Sequence, residues 1–161
     1  MIHCGINDRG RALDGDTGTN YGDPATAFDT DISYENLPYN DSKLQNMCGA
    51  IRFCIEKIWR VYPYMKIVLT TPLHTAGNTS NTKTKALNEA IKACAAYLAV
   101  PVLDLGYESH IYAPFASNYL SDGLHPDIEH GGKMLADTIA HYLISKFGGK
   151  PFFKLSAQSG T

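Results

Sequence analysis

The sequence lacks the features that mark several large classes of protein. No apolar run approaches the roughly 20 residues that a membrane-spanning helix needs. Residues 1–5 have neither the basic segment nor the long apolar segment of a signal peptide. The net charge is only −2, with no basic stripe and no acidic tail, so neither nucleic-acid binding nor disorder is predicted. These absences leave the compartment undetermined.

Cysteine pairs and nucleotide-binding loops are also missing. The four cysteines, Cys4, Cys48, Cys54 and Cys94, form no Cys-x-x-Cys pair and no zinc-binding spacing. Each stands among apolar residues, which predicts buried thiols. The chain has no Gly-x-Gly-x-x-Gly segment and no P-loop, so a nucleotide-binding domain is disfavoured. No cofactor is expected.

The composition that is present suits one globular domain. The chain has 161 residues, of which 44% are hydrophobic and 19% are charged, enough to build a core. We place the domain at residues 1–149 and a tail at residues 150–161. Residues 8–40 are rich in Gly, Asp, Asn, Thr and Pro and predict a long loop. Four aromatic residues within it could anchor the loop or, alternatively, stack on a sugar or acyl group; they are Tyr21, Phe28, Tyr34 and Tyr39.

Apolar patterns in the rest of the chain alternate between strands and helices. Strands are predicted at residues 1–4, 66–70 and 100–105. Amphipathic helices are predicted from about residue 41 to 62, 82 to 98 and 129 to 147. This alternation predicts an α/β fold with a parallel sheet. In such sheets the ligand crevice lies at the carboxyl ends of the strands.

One polar motif, Asp122-Gly123-Leu124-His125-Pro126, precedes the last helix. At this spacing the carboxylate of Asp122 can reach a ring nitrogen of His125, fix its tautomer and stabilise the imidazolium. The pair would then serve as the general base for a nucleophile. A simple turn with Asp122 as its cap is the plainer alternative. A metal site is disfavoured because no third and fourth ligands stand at suitable spacing.

The segment Gly5-Ile6-Asn7-Asp8, the strand ending in Thr70-Thr71-Pro72, and the Asp122–Pro126 motif together resemble the SGNH (GDSL-type) hydrolases. The resemblance covers almost the whole chain in strand order and spacing. It implies a flavodoxin-like, three-layer parallel-sheet fold and serine-dependent hydrolysis of a small-molecule or carbohydrate ester.

The resemblance also assigns roles to particular residues. Asn7 would donate its side-chain amide to the oxyanion, His125 would act as general base and then general acid, and Asp122 would orient His125. Loop residues beside the presumed crevice are candidates for substrate contact; they are Gly5, Asp8, His74 and Tyr119.

The sequence departs from the family in lacking the Gly-Asp-Ser block that carries the serine. That block and the glycine block belong upstream of the strand that leads to Asn7, so the chain resembles the C-terminal, three-stranded part of such a hydrolase. No other candidate nucleophile stands in a strand-to-helix elbow; those considered are Cys4, Thr79, Ser80, Ser117 and Ser121. The strand at residues 1–4 would be an exposed edge, which favours self-association into a homo-oligomer. The alternative function is a non-catalytic remnant that acts as a binding or assembly module.

Overall fold

A computed structural model describes residues 1–3, 32–76 and 78–148, with residues 78–82 described by their backbone alone. Within these ranges three short strands form a parallel sheet in the order β1-β2-β3. They are β1 (Ile2–His3), β2 (Leu69–Thr70) and β3 (Val102–Leu103). The predicted α/β architecture with a parallel sheet is confirmed.

Four α-helices accompany the sheet in the described ranges: α1 (Met47–Val61), α2 (Asn78–Tyr97), α3 (Leu105–Glu108) and α4 (Gly131–Phe147). None of the helices in this part of the chain is long and apolar enough to cross a membrane. Short 3₁₀ turns lie at Tyr34–Asn36, Ser42–Leu44 and Ala113–Asn118.

Several predicted boundaries were wrong, and local capping explains the clearest case. The helix predicted from residue 41 begins at Met47, because the Asn46 side chain accepts a hydrogen bond from the Gly49 N–H at 2.8 Å and caps α1 there. Asp41 instead caps the preceding 3₁₀ turn, accepting from the Lys43 N–H at 2.9 Å.

The other boundary differences are of three kinds. Helix α2 begins at Asn78 instead of residue 82. The strands are shorter than predicted because only residues with a paired neighbour belong to the ladder. The region between the predicted strand at 100–105 and the helix predicted from about 129 contains most of α3 and the turn at Ala113–Asn118.

Helices cover both faces of the sheet, so the described part has three layers. On one face a core cluster joins β2 to α1 and α2; it includes Ile51, Ile55, Ile67, Leu69, Leu87 and Ile91. On the other face a second cluster joins the sheet to α4; it includes Val68, Leu103, Leu105, Leu120 and Tyr142. The alternation of Ile67, Val68 and Leu69 between the clusters follows the two-residue period of a strand.

The cysteine prediction holds for two residues and fails for a third. Cys48 and Cys94 are buried, but Cys54 is exposed. The buried positions on α1 include Cys48, Ile51 and Ile55, and Cys54 lies outside this helical stripe. Cys4 is outside the described residues.

Of the two predicted loop anchors that the structure describes, one is buried. Tyr34 is in the core, with the Arg52 guanidinium 4.1 Å from the centre of its ring. Arg52 also binds Glu56 at 2.6 Å and the Ile32 carbonyl at 2.7 Å, which fastens this segment to α1. Tyr39 is exposed, and Tyr21 and Phe28 lie outside the described residues.

Polar side chains connect the carboxyl ends of β2 and β3. The Thr71 hydroxyl donates to Asp104 Oδ1 at 2.8 Å and accepts from the Gly106 N–H at 3.2 Å. Asp104 Oδ2 lies 3.0 Å from Lys92 Nζ on α2. This network fixes the spacing of the two strand ends at the edge of the sheet where the crevice was predicted.

Candidate functional site

The predicted Asp122–His125 motif lies in a loop that closes on itself before α4. Leu120 and Pro126 form an isolated antiparallel bridge. The Ser121 N–H donates to the His125 carbonyl at 2.9 Å, and the Asp127 N–H donates to the Tyr119 carbonyl at 2.8 Å. Residues 120–126 therefore form a small loop with its own hydrogen bonds.

Both carboxylate oxygens of Asp122 are engaged inside this loop. Oδ2 lies 2.7 Å from His125 Nδ1. Oδ1 accepts from the backbone N–H groups of His125 at 2.7 Å and Leu124 at 2.9 Å. These bonds hold the pKa of Asp122 far below its ordinary value, with the His125 backbone N–H first, the His125 ring second and the Leu124 N–H third among the causes. Asp122 is thus an anion that orients the ring.

The geometry determines what the imidazole can do. With Nδ1–H donating to the carboxylate, the neutral ring presents Nε2 as its acceptor. The His125 side chain is 69% exposed, so Nε2 is accessible to a substrate or to a hydroxyl group. We refer to Asp122 and His125 as the dyad.

The loop of residues 120–126, which we call the dyad loop, is attached to the segment that follows the carboxyl end of β2. The Ala76 N–H donates to the Gly123 carbonyl at 2.9 Å. Gly123 has a φ of +76°, and a Cβ atom there would stand 3.2 Å from the Ala76 Cβ. Both the backbone conformation and the close approach therefore favour a glycine. The dyad consequently sits at the sheet edge predicted for the crevice.

Two predicted substrate-loop residues are described. His74, which is partly buried, lies in the segment after β2 that carries Ala76. Tyr119 is partly buried and packs against the second core cluster, while its carbonyl supports the dyad loop. Gly5, Asp8 and the predicted oxyanion residue Asn7 lie outside the described residues, so their convergence with the dyad stays a prediction.

The serine adjacent to the dyad does not point its hydroxyl at the imidazole. Ser121 Oγ donates to the His125 backbone carbonyl at 3.3 Å. Ser117 is exposed on the preceding 3₁₀ turn. The side chains of Thr79 and Ser80, and the whole of Cys4, lie outside the description. The described side chains therefore offer no nucleophile bonded to His125.

A second Asp-x-x-His motif, Asp127-Ile128-Glu129-His130, follows immediately and is not among the predicted site residues. Asp127 Oδ1 accepts from the His130 N–H at 2.6 Å, and Oδ2 accepts from the Gly131 N–H at 3.4 Å. These backbone bonds, led by that of His130, lower the pKa of Asp127. Asp127 therefore satisfies N–H groups at the start of α4, which was predicted to begin at residue 129. An Asp shortly before an apolar helical pattern is a recognisable capping signal.

A metal centre finds no support in the described ranges, where no group of three or more His, Cys, Asp and Glu side chains could hold an ion.

Comparison with known proteins supports the fold and goes no further. No family model and no curated protein matches the sequence. A solved crystal structure is similar, with a TM-score of 0.63 and 23% sequence identity, and the match covers 89% of this chain. It covers 63% of the other chain, so this chain spans less than two thirds of that protein's length. At this identity the similarity shows a shared α/β fold alone.

Proposed function

We propose that this chain carries the general-base half of an ester hydrolase of the SGNH type, with the corresponding flavodoxin-like fold. The observation that carries the proposal is the 2.7 Å contact between Asp122 Oδ2 and Nδ1 of the exposed His125 side chain, which leaves Nε2 as the free acceptor of the neutral ring. The two side chains have the types and the mutual geometry of an orienting acid and a base. The position of their loop beside the carboxyl end of β2 suits a ligand crevice.

The proposed reaction follows the order of acyl transfer through a serine. His125 Nε2 takes the proton of the serine hydroxyl as its oxygen attacks the ester carbonyl, and Asp122 stabilises the resulting imidazolium. Asn7 donates its amide N–H to the carbonyl oxygen as that oxygen becomes negative. The C–O bond to the alcohol then breaks, and His125 returns the proton to the leaving alcohol. Water, activated by His125, hydrolyses the acyl-enzyme.

The nucleophile in this proposal comes from beyond these 161 residues or from another chain. The sequence has no Gly-Asp-Ser block, and the Ser121 hydroxyl is bonded to the backbone. Reading the DNA immediately upstream of the coding sequence for an in-frame Gly-Asp-Ser block tests this point directly. If no such block is present, a partner chain must supply the serine.

Labelling with a fluorophosphonate probe, together with hydrolysis of p-nitrophenyl acetate, tests the dyad. The variants are His125→Ala and, as a matched control, His130→Ala, which removes the equivalent ring of the second motif. Labelling and hydrolysis that disappear in the first variant and persist in the second support the proposal. Hydrolysis that survives His125→Ala overturns it. If the 161-residue chain alone neither labels nor hydrolyses, the same variants are compared in the upstream-extended protein.

The second candidate function is a non-catalytic binding module that keeps the fold and the dyad loop. The observation that favours it is the engagement of Ser121 with the His125 carbonyl, which leaves the described dyad without a hydroxyl to activate. Calorimetric titration with an acetylated monosaccharide distinguishes the two functions. Binding that is unchanged by His125→Ala, with no turnover in either form of the protein, favours the module.

A further inference from the structure

An apolar surface lies at the amino-terminal ends of the strands, at the opposite edge of the sheet from the dyad. One groove of about 620 Å³ is lined by Met1, Tyr62, Tyr64, Met65, Leu143 and Phe147, among others. Among the described residues of its lining, Lys66 is the one that carries a charge. Residues 62–66 lie before the amino-terminal end of β2 in the chain. The dyad loop is instead bonded to the segment that follows the carboxyl end of β2.

A second groove adjoins the first. Its volume is about 550 Å³, and Tyr64, Met65 and Phe147 line both grooves. Trp59 and Val100 belong to the second groove alone. We refer to the two grooves together as the apolar surface.

The exposure of this surface indicates that it binds another apolar segment. Tyr62 is 59% exposed, Tyr64 is 84% exposed and Met65 is 48% exposed, although the three are close neighbours. Apolar side chains scattered singly over a surface are ordinary, but a contiguous apolar patch usually marks a binding site. Because Lys66 is the one charged residue among those described in the first groove, this lining favours an apolar or aromatic ligand over a charged one.

We infer that the C-terminal tail of this chain binds back to the apolar surface through Phe152 and Phe153. The tail leaves α4 at Phe147, which itself lines both grooves. Residues 149–161 lie outside the described part of the chain, and their apolar side chains are concentrated near its start, at Pro151, Phe152, Phe153 and Leu155.

The distance and the local chemistry of the tail suit this placement. Four residues lie between Phe147 and Phe152, and the five residue-to-residue steps span up to about 17 Å when extended. Gly148 and Gly149 permit the change of direction that a return to the surface needs. Successive side chains of an extended segment point to opposite sides. Phe152 and Phe153 can therefore enter the two grooves on either side of Tyr64 and Met65.

A tethered segment has an advantage over a second copy of the chain. A short flexible connection gives the tail an effective concentration on the order of millimolar at the surface. A second copy at micromolar concentration would have to bind about a thousandfold more tightly to compete. The intramolecular occupant is therefore favoured over a dimer formed through the same surface.

The tryptophan fluorescence of the protein reports on this surface without a label. Trp59 is the one tryptophan of the chain, and it lines the second groove with its Nε1 donating to the Met65 carbonyl at 3.0 Å. We expect the double variant Phe152→Ser/Phe153→Ser to raise the acrylamide quenching constant of Trp59 about twofold or more. The control variant Lys150→Ser/Lys154→Ser changes the same tail but keeps both phenylalanines, and it should quench like the wild type.

Two results would overturn the inference. In one, the phenylalanine variant quenches as the wild type does while its circular dichroism shows a folded protein. In the other, the protection of Trp59 in the wild type is lost on hundredfold dilution, which would show that a second copy covers the surface.

Photo-crosslinking provides a second measurement that does not depend on loss of a contact. Phe152 is replaced by p-benzoylphenylalanine, and isotopically heavy and light chains are mixed before irradiation. Crosslinks to residues 59–66 within one isotopic form support the inference. Crosslinks between heavy and light chains, or crosslinks confined to other regions, contradict it. Neither experiment depends on hydrolytic activity, so failure here is distinguishable from failure of the proposed function.

Discussion

The two consecutive Asp-x-x-His motifs have the same spacing and very different surroundings. In both, the aspartate accepts the backbone N–H of the histidine three residues later, at 2.7 Å for Asp122 and 2.6 Å for Asp127. Asp122 reserves its second oxygen for the His125 ring at 2.7 Å. Asp127 offers its second oxygen to the Gly131 N–H at the start of α4, and the His130 ring lies 3.3 Å from the oxygen already in use.

The difference shows that spacing alone does not assign a role to such a motif. At Asp127 the carboxylate mainly satisfies backbone donors at a helix start, which is a structural function. At Asp122 the same residue type in the same spacing orients an exposed imidazole. The distinguishing quantity is the partner of each carboxylate oxygen, and the two motifs therefore serve as controls for each other.

The largest expected difference between the motifs is in catalysis. In a preparation that hydrolyses p-nitrophenyl acetate, His125→Ala should lower kcat/KM by about 10²–10⁴-fold, the usual contribution of a general base. His130→Ala should change it less than about twofold, because that ring is not oriented by a dedicated carboxylate oxygen. Equal losses in the two variants would remove the catalytic distinction between the motifs.

The next difference is in thermal stability. Asp127→Ala removes the acceptor for the first N–H groups of α4 and should lower the melting temperature by about 2–4 °C. Asp122→Ala should have a smaller effect, since its backbone partners belong to a surface loop. Thermal unfolding followed by circular dichroism at 222 nm measures both variants. A larger fall for Asp122→Ala would reverse our assignment of the helix cap.

The second position of each motif provides a backbone comparison. Gly123 has a φ of +76°, so Gly123→Ala should destabilise the protein by about 1 kcal/mol. Its counterpart Ile128 is 89% exposed, and Ile128→Ala should stay within about 0.5 kcal/mol of the wild type. Urea denaturation measures both changes. If Gly123→Ala leaves the free energy of unfolding unchanged, the dyad loop can adapt to a side chain at this position.

The smallest expected difference between the motifs is in the acid dependence of the unfolding free energy, because both aspartates have lowered pKa values. A carboxyl whose pKa is lower in the folded state stabilises the fold above its ordinary value of 3.8 and loses this contribution as the pH falls further. The unfolding free energy should therefore decline below about pH 4. Asp122→Asn should flatten this decline more than Asp127→Asn, since a ring hydrogen bond adds to the backbone bonds of Asp122. Urea denaturation between pH 5 and pH 2 tests the order, and a steeper decline in Asp122→Asn would contradict it.

The alternation of strands and helices could be predicted because each element has its own apolar period. Ile51 and Ile55 recur at helical spacing, and Ile67, Val68 and Leu69 form a continuous strand run; both patterns lie in the core as expected. The residue at which α1 begins could not be predicted, because Asp41, Ser42 and Asn46 are all good capping residues. The structure assigns Asn46 to the helix.

The candidate site was predictable only where its contacts are local. The contact between Asp122 and His125 spans three residues, so spacing was sufficient to anticipate it. The bond from Ala76 to Gly123 joins distant parts of the chain, and no local pattern in the sequence indicates it. The role of Asp127 was missed because it lies three residues before His130, which holds the capping position of α4, and a capping side chain is sought at that position itself. The predicted role of Asn7 stays untested.

The bridge between Leu120 and Pro126 has a consequence for how the dyad behaves as a unit. The acid, the imidazole and the N–H groups that hold the acid all fall between these two residues. The contacts that orient the imidazole are therefore local to a short hairpin-like closure, while the bond from Ala76 to Gly123 attaches this closure to the segment after β2. We therefore expect that residues 120–126, transferred between two strand-like ends of another scaffold, would keep the imidazole oriented by the carboxylate.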